Sequence, residues 1–203
     1  MQAVDAAVAA IKAGRQAVVP TDTVYGLAAS PYSEAPVRRL YRAKGRDAIQ
    51  PTALVAADLE LLFECVPELR GRAGAIASAL LPGAFTLVLP NPARRFPWLT
   101  GSSPETIGVR VPELAGPGRK VLASAGVIVA TSANLPGGPD PRTLDEVPEQ
   151  IRAAAAAVVD GGELAGTPST VIDFTGAEPV VLREGAAPSA DALARVRAET
   201  SSA

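Results

Sequence analysis

Four short polar clusters mark where this sequence could do chemistry: PTDTVYG at 20–26, KGR at 44–46, TSAN at 131–134 and GTPST at 166–170. Most of them sit where an apolar run or a helical pattern ends, and loops at strand ends are where α/β proteins set their reactive groups. The residue types are hydroxyls, an aspartate, amides and cations, with no histidine among the 203 residues. Ser–His and Cys–His pairs and a His-ligated zinc are thereby excluded. The one cysteine, Cys65, lies in the apolar context LLFECV and reads as a small core residue. It rules out an internal disulfide and a Cys-rich metal site.

Two arginines stand in Val- and Leu-rich surroundings, Arg110 in GVRVP and Arg183 in VVLREG. Burying a guanidinium there is costly unless an anion or a carboxylate pairs with it. An internal ion pair and a bound anion are both open for each arginine taken alone. With Lys44 and Arg46 beside them, in a chain of net charge −2, they point to a local polyanion site. Glycine-rich phosphate signatures are missing: there is no GxxxxGK[ST] and no GxGxxG, and GGELAG has the wrong spacing. A nucleotide must then be held by side chains and by the amides of loops such as TSAN. Singly, Asp22 reads as an Asx-turn residue, Ser132 and Asn134 as turn formers, GTPST as a turn entering a strand, and Tyr25 as a wall or core aromatic. Turn-making alone does not explain why these clusters fall at the ends of apolar elements.

The elements that must position these groups follow from periodicity. VDAAVAAIKAGR spaces Val4, Val8 and Ile11 as an amphipathic helix ending near Gly14, and QAVVP is a short buried strand. SEAPVRRLYRAKGR reads as a helix with Ser33 as N-cap and its basic residues toward the C-terminal end. TALVA is a strand, Asp58 caps LELLFECV, and Pro67 opens a helix that ends before LPGAF. FTLVLP, TIGVRVP, VIVAT, AVVD, STVIDF and PVVLR are strands; ELAGPGRKVLASAG and 143–157 are helical. Ser189 caps a last helix that frays into ETSSA. Apolar residues make up 48% of the chain and aromatics only 4%, so the core is built from Ala, Val, Leu and Ile. Alternating strands and helices predict one α/β domain over 1–203, with a twisted mixed β-sheet flanked by helices. No apolar run approaches the ~20 residues that cross a bilayer. The N-terminus lacks a basic leader, so a cytoplasmic location is expected.

In this order, PTDTVYGL, KGR, GVRVP, TSANLPGG and STVIDF…VLREG resemble the YrdC/Sua5 family, most strongly over 16–185. The resemblance implies a twisted sheet enclosing a basic concave cavity, in the family's single-domain form. It implies joining of L-threonine, bicarbonate and ATP into a threonylcarbamoyl adenylate with release of diphosphate, for N6-threonylcarbamoyladenosine formation in tRNA. Carried over by position, Thr23, Arg110 and Ser169 are implied threonine contacts, Arg110 on the carboxylate. Lys44 and Arg46 are implied to face the phosphates as the catalytic pair. Gln50, Thr106, Ser132, Asn134 and Arg183 are implied to hold ATP or the adenylate. The hydroxyls of Thr21, Thr23 and Tyr25 are expected to line a pocket for a small zwitterion. Mg²⁺ is implied as the companion of ATP, held by substrate oxygens and water; tRNA and a transferase that takes the adenylate are implied partners.

Two positions depart from the family pattern. Asp47 follows Arg46 where a proline is common, and Val55 stands where many members carry a histidine. Val55 keeps open a relative making a different carbamoyl or acyl adenylate. A double-stranded RNA or tRNA binding module without catalysis is the other alternative. The −2 charge and the scarcity of aromatics argue against strong RNA binding.

Overall fold

The computed structural model describes residues 1–47 and 49–200. In chain order its elements are α1 (Gln2–Lys12), β1 (Ala17–Pro20), β2 (Tyr25–Ala29), α2 (Glu34–Lys44), β3 (Leu54–Ala56), α3 (Leu59–Cys65), α4 (Gly71–Leu80) and β4 (Phe85–Pro90). There follow β5 (Thr106–Arg110), α5 (Gly116–Ala125), β6 (Val127–Ser132), α6 (Glu149–Ala154), β7 (Ala157–Val158), β8 (Thr170–Asp173), β9 (Val180–Arg183) and α7 (Ser189–Thr200). The nine strands among the described residues join one mixed, twisted sheet in the order β7-β1-β2-β6-β3-β5-β4-β8-β9. The pairs β3–β5, β4–β8 and β1–β7 are parallel, and the rest are antiparallel.

Strand alternation decides what each face of the sheet does. On β4 and β5, Phe85, Leu87, Leu89, Ile107 and Val109 are buried, while Thr86, Val88, Thr106, Gly108 and Arg110 between them are half-buried. The buried set joins Leu54, Val129, Ile172, Leu62, Ile76 and Leu80 in the main core, whose helical side comes from α2, α3, α4, α6 and α7. Burying each such Leu or Ile contributes about 1.5–3 kcal/mol, so this face anchors the fold. On the other face, Ala7 and Ile11 of α1 and Val121 and Leu122 of α5 pack on Val19, Val55 and Ile128. That cover stops short of β4, β5 and β8, where Thr86, Val88, Gly108 and Val171 border an open cavity.

Several elements differ from their sequence-based expectation. YGLAA, with Tyr25 and Gly26 expected in the PTDTVYG loop, is strand β2, buried at all five positions. A strand covered on both faces loses alternation, and Gly26 reads as a breaker; a Cβ there would meet Thr21 and the Thr131 carbonyl. The helix expected from Pro67 begins at Gly71, because the intervening residues close a turn through Leu69 N–H to the Val66 carbonyl. The helix expected over 143–157 shrinks to Glu149–Ala154, since Pro148 disfavours helix before it. Ser33 takes the N-cap position with extended backbone but its side chain makes no capping bond. Asp58 does cap, accepting from Leu61 N–H at 2.8 Å. The last helix runs to Thr200, and residues 201–203 of the expected fray lie outside the described residues. Among the described residues no helix is long and apolar enough to cross a membrane.

Candidate active site

The uncovered face of the sheet walls a cavity of about 360 Å³. Among the described residues three arginines line it, Arg46, Arg110 and Arg183, and no Asp or Glu does. A chain of net charge −2 thus concentrates positive charge in one recess, the arrangement that draws in and holds an oxyanion. Helix α5 closes one end; a Cβ on Gly118 would overlap the Pro20 carbonyl, so only glycine permits this approach to β1.

The turn between β1 and β2 is built from its own hydroxyls. Thr21 Oγ1 donates to the Val24 carbonyl at 2.6 Å and accepts from the N–H groups of Thr23 and Val24, each at 3.2 Å. Thr23 Oγ1 lies 3.1 Å from it and accepts from Arg110 Nη2, also at 3.1 Å. The same Nη2 donates to Asp22 Oδ1, so Arg110 has an internal ion pair and lines the cavity as well. Burial pushes the Asp22 carboxyl up, with Arg110 opposing, and burial likewise lowers the Arg110 guanidinium. Tyr25 corrects the expectation of a pocket hydroxyl. Its OH donates toward Asp160 Oδ1 (3.0 Å) and the Gly162 carbonyl (2.8 Å), accepts from Gly161 N–H (2.8 Å), and lies outside the cavity lining.

Lys44 and Arg46 part company at Gly45, whose left-handed backbone (φ 67°) ends α2 and reverses the chain. Arg46 lines the cavity, with Nη2 on the Pro51 carbonyl at 2.5 Å and Nη1 reaching Thr131 Oγ1 at 3.4 Å. Lys44 is buried outside the lining. Its ammonium donates to the Ser132 carbonyl (2.5 Å), Ser132 Oγ (3.2 Å) and Asn134 Oδ1 (2.6 Å). Burial, with Arg46 nearby, lowers its pKa to about 8. Ser132 lines the cavity and donates to Asn134 Oδ1 at 2.7 Å, while Asn134 stands behind it, bonded to the Gly138 carbonyl. Gln50 is exposed and outside the lining.

At the other end, Arg183 donates to the Ser169 carbonyl through Nε (3.1 Å) and Nη2 (2.8 Å), and Ser169 Oγ meets Thr86 Oγ1 at 2.8 Å. Thr106 also lines the cavity, its hydroxyl turned to the Ser103 carbonyl. The fold therefore gathers Thr23, Arg46, Thr106, Arg110, Ser132, Ser169 and Arg183 around one space, and leaves Lys44, Gln50 and Asn134 outside its wall. Sequence reasoning missed Thr52 and Thr86, which carry no local signal because threonine is an ordinary strand residue, and gave Thr131 of the TSAN cluster no role of its own. It also missed Asp22 as the partner of Arg110. Arg46 Nε, Arg110 Nε and Asp22 Oδ2 are enclosed without a hydrogen-bond partner, as is Arg152 Nε away from the cavity. Cys65 lies elsewhere, 3.9 Å from the Tyr32 hydroxyl.

The family model Sua5/YciO/YrdC, described as "Telomere recombination", matches residues 9–185. The threonylcarbamoyl-AMP synthase of Pyrococcus abyssi is 36% identical over 179 residues, covering 88% of this chain and 52% of that protein. A putative threonylcarbamoyl-AMP synthase of Mycobacterium tuberculosis is 35% identical over 182 residues, covering 88% and 82%. Among solved structures, P. abyssi Sua5 complexed with L-threonine matches with a TM-score of 0.85 at 35% identity, over 97% of this chain and 57% of that one. E. coli YciO matches with a TM-score of 0.79 at 26% identity, over 91% and 89%. The chain thus spans about half the length of the Pyrococcus relative and most of the mycobacterial one. Matched along most of its length and across nearly its whole fold, the chain belongs to the Sua5/YciO/YrdC family.

Proposed function

We propose that this protein is an L-threonylcarbamoyladenylate synthase, joining L-threonine, bicarbonate and ATP to give threonylcarbamoyl-AMP and diphosphate. The observation that carries the reading is the convergence of Arg46, Arg110 and Arg183, from three distant segments, on one cavity with no lining carboxylate among the described residues. The named activity of the relatives and the threonine bound in the Pyrococcus structure support the same reading.

The threonine amine forms a C–N bond with the bicarbonate carbon and water leaves, giving a carbamate. A carbamate oxygen then attacks the α-phosphorus of ATP, and the bond to the β-phosphate oxygen breaks to release diphosphate. No protein nucleophile is required, consistent with a histidine-free chain whose cysteine lies away from the cavity. The protein's work is alignment and charge compensation. Arg110 receives the amino-acid carboxylate beside Thr23 and Ser169; Arg46 and Arg183 offset charge on the phosphoryl oxygens. Ser132 and Thr106 fix the nucleotide. Lys44 contributes through Ser132 and Asn134, whose positions it sets.

Mg²⁺ would accompany ATP and neutralise phosphate charge. With no carboxylate in the lining and no His/Cys/Asp/Glu cluster among the described residues, its ligands would be phosphate oxygens and water. The adenylate would pass to a tRNA-modifying transferase in the cytoplasm.

Mass spectrometry after incubation with ATP, Mg²⁺, bicarbonate and L-threonine should show threonylcarbamoyl adenylate and diphosphate. Diphosphate release with another amino acid only would favour a different adenylate, a reading that Val55 in the cavity wall, in register with Arg110, keeps specific. Salt-sensitive tRNA binding with no diphosphate release would favour an RNA-binding module.

A further inference from the structure

Among the described residues, Asp22 is the one carboxylate paired with an arginine of the cavity lining. Its side chain is 9% exposed and that of Arg110 13%, and it does not itself line the cavity. A carboxylate facing a guanidinium commonly takes two parallel bonds. Here the pair makes one, through Arg110 Nη2, which also reaches Thr23 Oγ1 at 3.1 Å. Arg110 Nε and Asp22 Oδ2 are each left buried without a partner. Nη2 is thus tied to the β1–β2 turn, while Nη1, which among the described residues is neither enclosed nor hydrogen-bonded, is left over for a ligand.

The surroundings give this tether a purpose. Arg183 is close enough for its charge to oppose that of Arg110. Both line a cavity that, on the reading above, holds a triphosphate and an amino-acid carboxylate together. An untethered Arg110 would swing toward the larger anion, because charge-assisted bonds to phosphate are the strongest on offer there. We propose that Asp22 is a positioning residue that pins Arg110 to the β1–β2 turn, reserving its free donor for the amino-acid carboxylate and withholding it from the phosphates. Asp22 thereby separates two anion subsites inside one basic cavity. The inference rests on Arg110 being the carboxylate contact.

The test titrates L-threonine and a non-hydrolysable ATP analogue separately by calorimetry into the wild-type protein and four variants: Asp22→Asn, Asp22→Ala, Arg110→Met and the Asp22→Asn/Arg110→Met double. Asp22→Ala should weaken threonine binding by at least about tenfold, the scale of one lost bond to a charged group. The ATP analogue should bind within about threefold of wild type or tighter. Asp22→Asn retains an acceptor for Nη2 and should recover part of the threonine affinity, without changing that for the analogue. In the Arg110→Met background, Asp22→Asn should cost nothing further. Wild-type threonine affinity in both Asp22 variants overturns the proposal, as does equal loss of both ligands or an additional loss in the double variant. Should Asp22→Ala fail to fold, the near-isosteric Asp22→Asn decides alone by the same split between ligands. Unchanged threonine binding in Arg110→Met overturns the proposal together with the carboxylate assignment, which separates that failure from a failure of Asp22 alone.

Discussion

The Lys44 ammonium nitrogen lies 2.5 Å from the main-chain carbonyl of Ser132, tying the last residue of α2 to the last residue of β6. With Ser132 Oγ and Asn134 Oδ1 it has three acceptors for three protons, so its charge is spent inside the protein. Lys44→Met keeps much of the bulk and removes the donor. We expect a stability loss of about 1–3 kcal/mol from the unsatisfied acceptors, together with at least about a tenfold fall in ATP-dependent turnover as Ser132 loses its register. Denaturant melts and diphosphate release measured on the same preparation check both; wild-type turnover would remove Lys44 from the machinery.

The same lysine makes stability depend on pH. Its folded pKa of about 8 lies below the ordinary 10.5, so between those values the unfolded chain holds more protons. Unfolding free energy from this group therefore rises with pH across about 8 to 10.5 and is lowest below 8. The urea midpoint of the wild type should gain on that of Lys44→Met from pH 8 to pH 10. A difference that stays flat over that window contradicts the buried, charge-penalised environment.

Arg46 and Arg183 face the cavity from opposite sides of the fold's chain order and should fail alike. Arg46→Ala and Arg183→Ala are each expected to lower kcat/KM for ATP by at least about tenfold, up to the scale of 2–4 kcal/mol seen for positioned charges. Melting temperature should change little, since both side chains bond main-chain carbonyls that the cavity can hydrate. Steady-state kinetics at varied ATP and fixed threonine measure the effect; near-native values at low ATP would displace the phosphates from this cavity.

Gly108 offers a steric test. Its neighbours Ile107 and Val109 point into the core, so its own missing side chain faces the cavity, and a Cβ there would lie 3.6 Å from Ala53, an ordinary contact. Gly108→Val should fold with a melting temperature within about 4 °C of wild type, a change of about 1 kcal/mol or less. It should also bind ATP and threonine poorly. Calorimetry decides: unimpaired binding would mean the ligands sit elsewhere.

Tyr25→Phe should do the reverse. The hydroxyl serves Asp160, Gly161 and Gly162 and stands outside the lining, so its loss costs about 1–3 kcal/mol of stability while kcat/KM stays within about twofold. Loss of turnover without loss of stability would return Tyr25 to the pocket.

Chemistry was excluded, and loops nominated, from composition and spacing alone. A chain without histidine and with one cysteine has few nucleophiles, whatever its fold, and apolar runs ending in TSAN or GTPST lead polar residues to strand ends. Alternation on FTLVLP and TIGVR likewise declares two strands with a core face, because pleating is a local property. Which cation reaches the cavity is not local. Lys44 and Arg46 are two residues apart, yet the left-handed turn at Gly45 and the pairing of β6 with β2 send one ammonium under Ser132 and one guanidinium into the open. The Asp22–Arg110 pair joins residues 88 positions apart and exists only because the β1–β2 turn and the end of β5 meet over the same sheet face. Local sequence sets backbone propensity and the inventory of groups; side-chain direction and partnership depend on how distant strands register, and only the assembled sheet decides that.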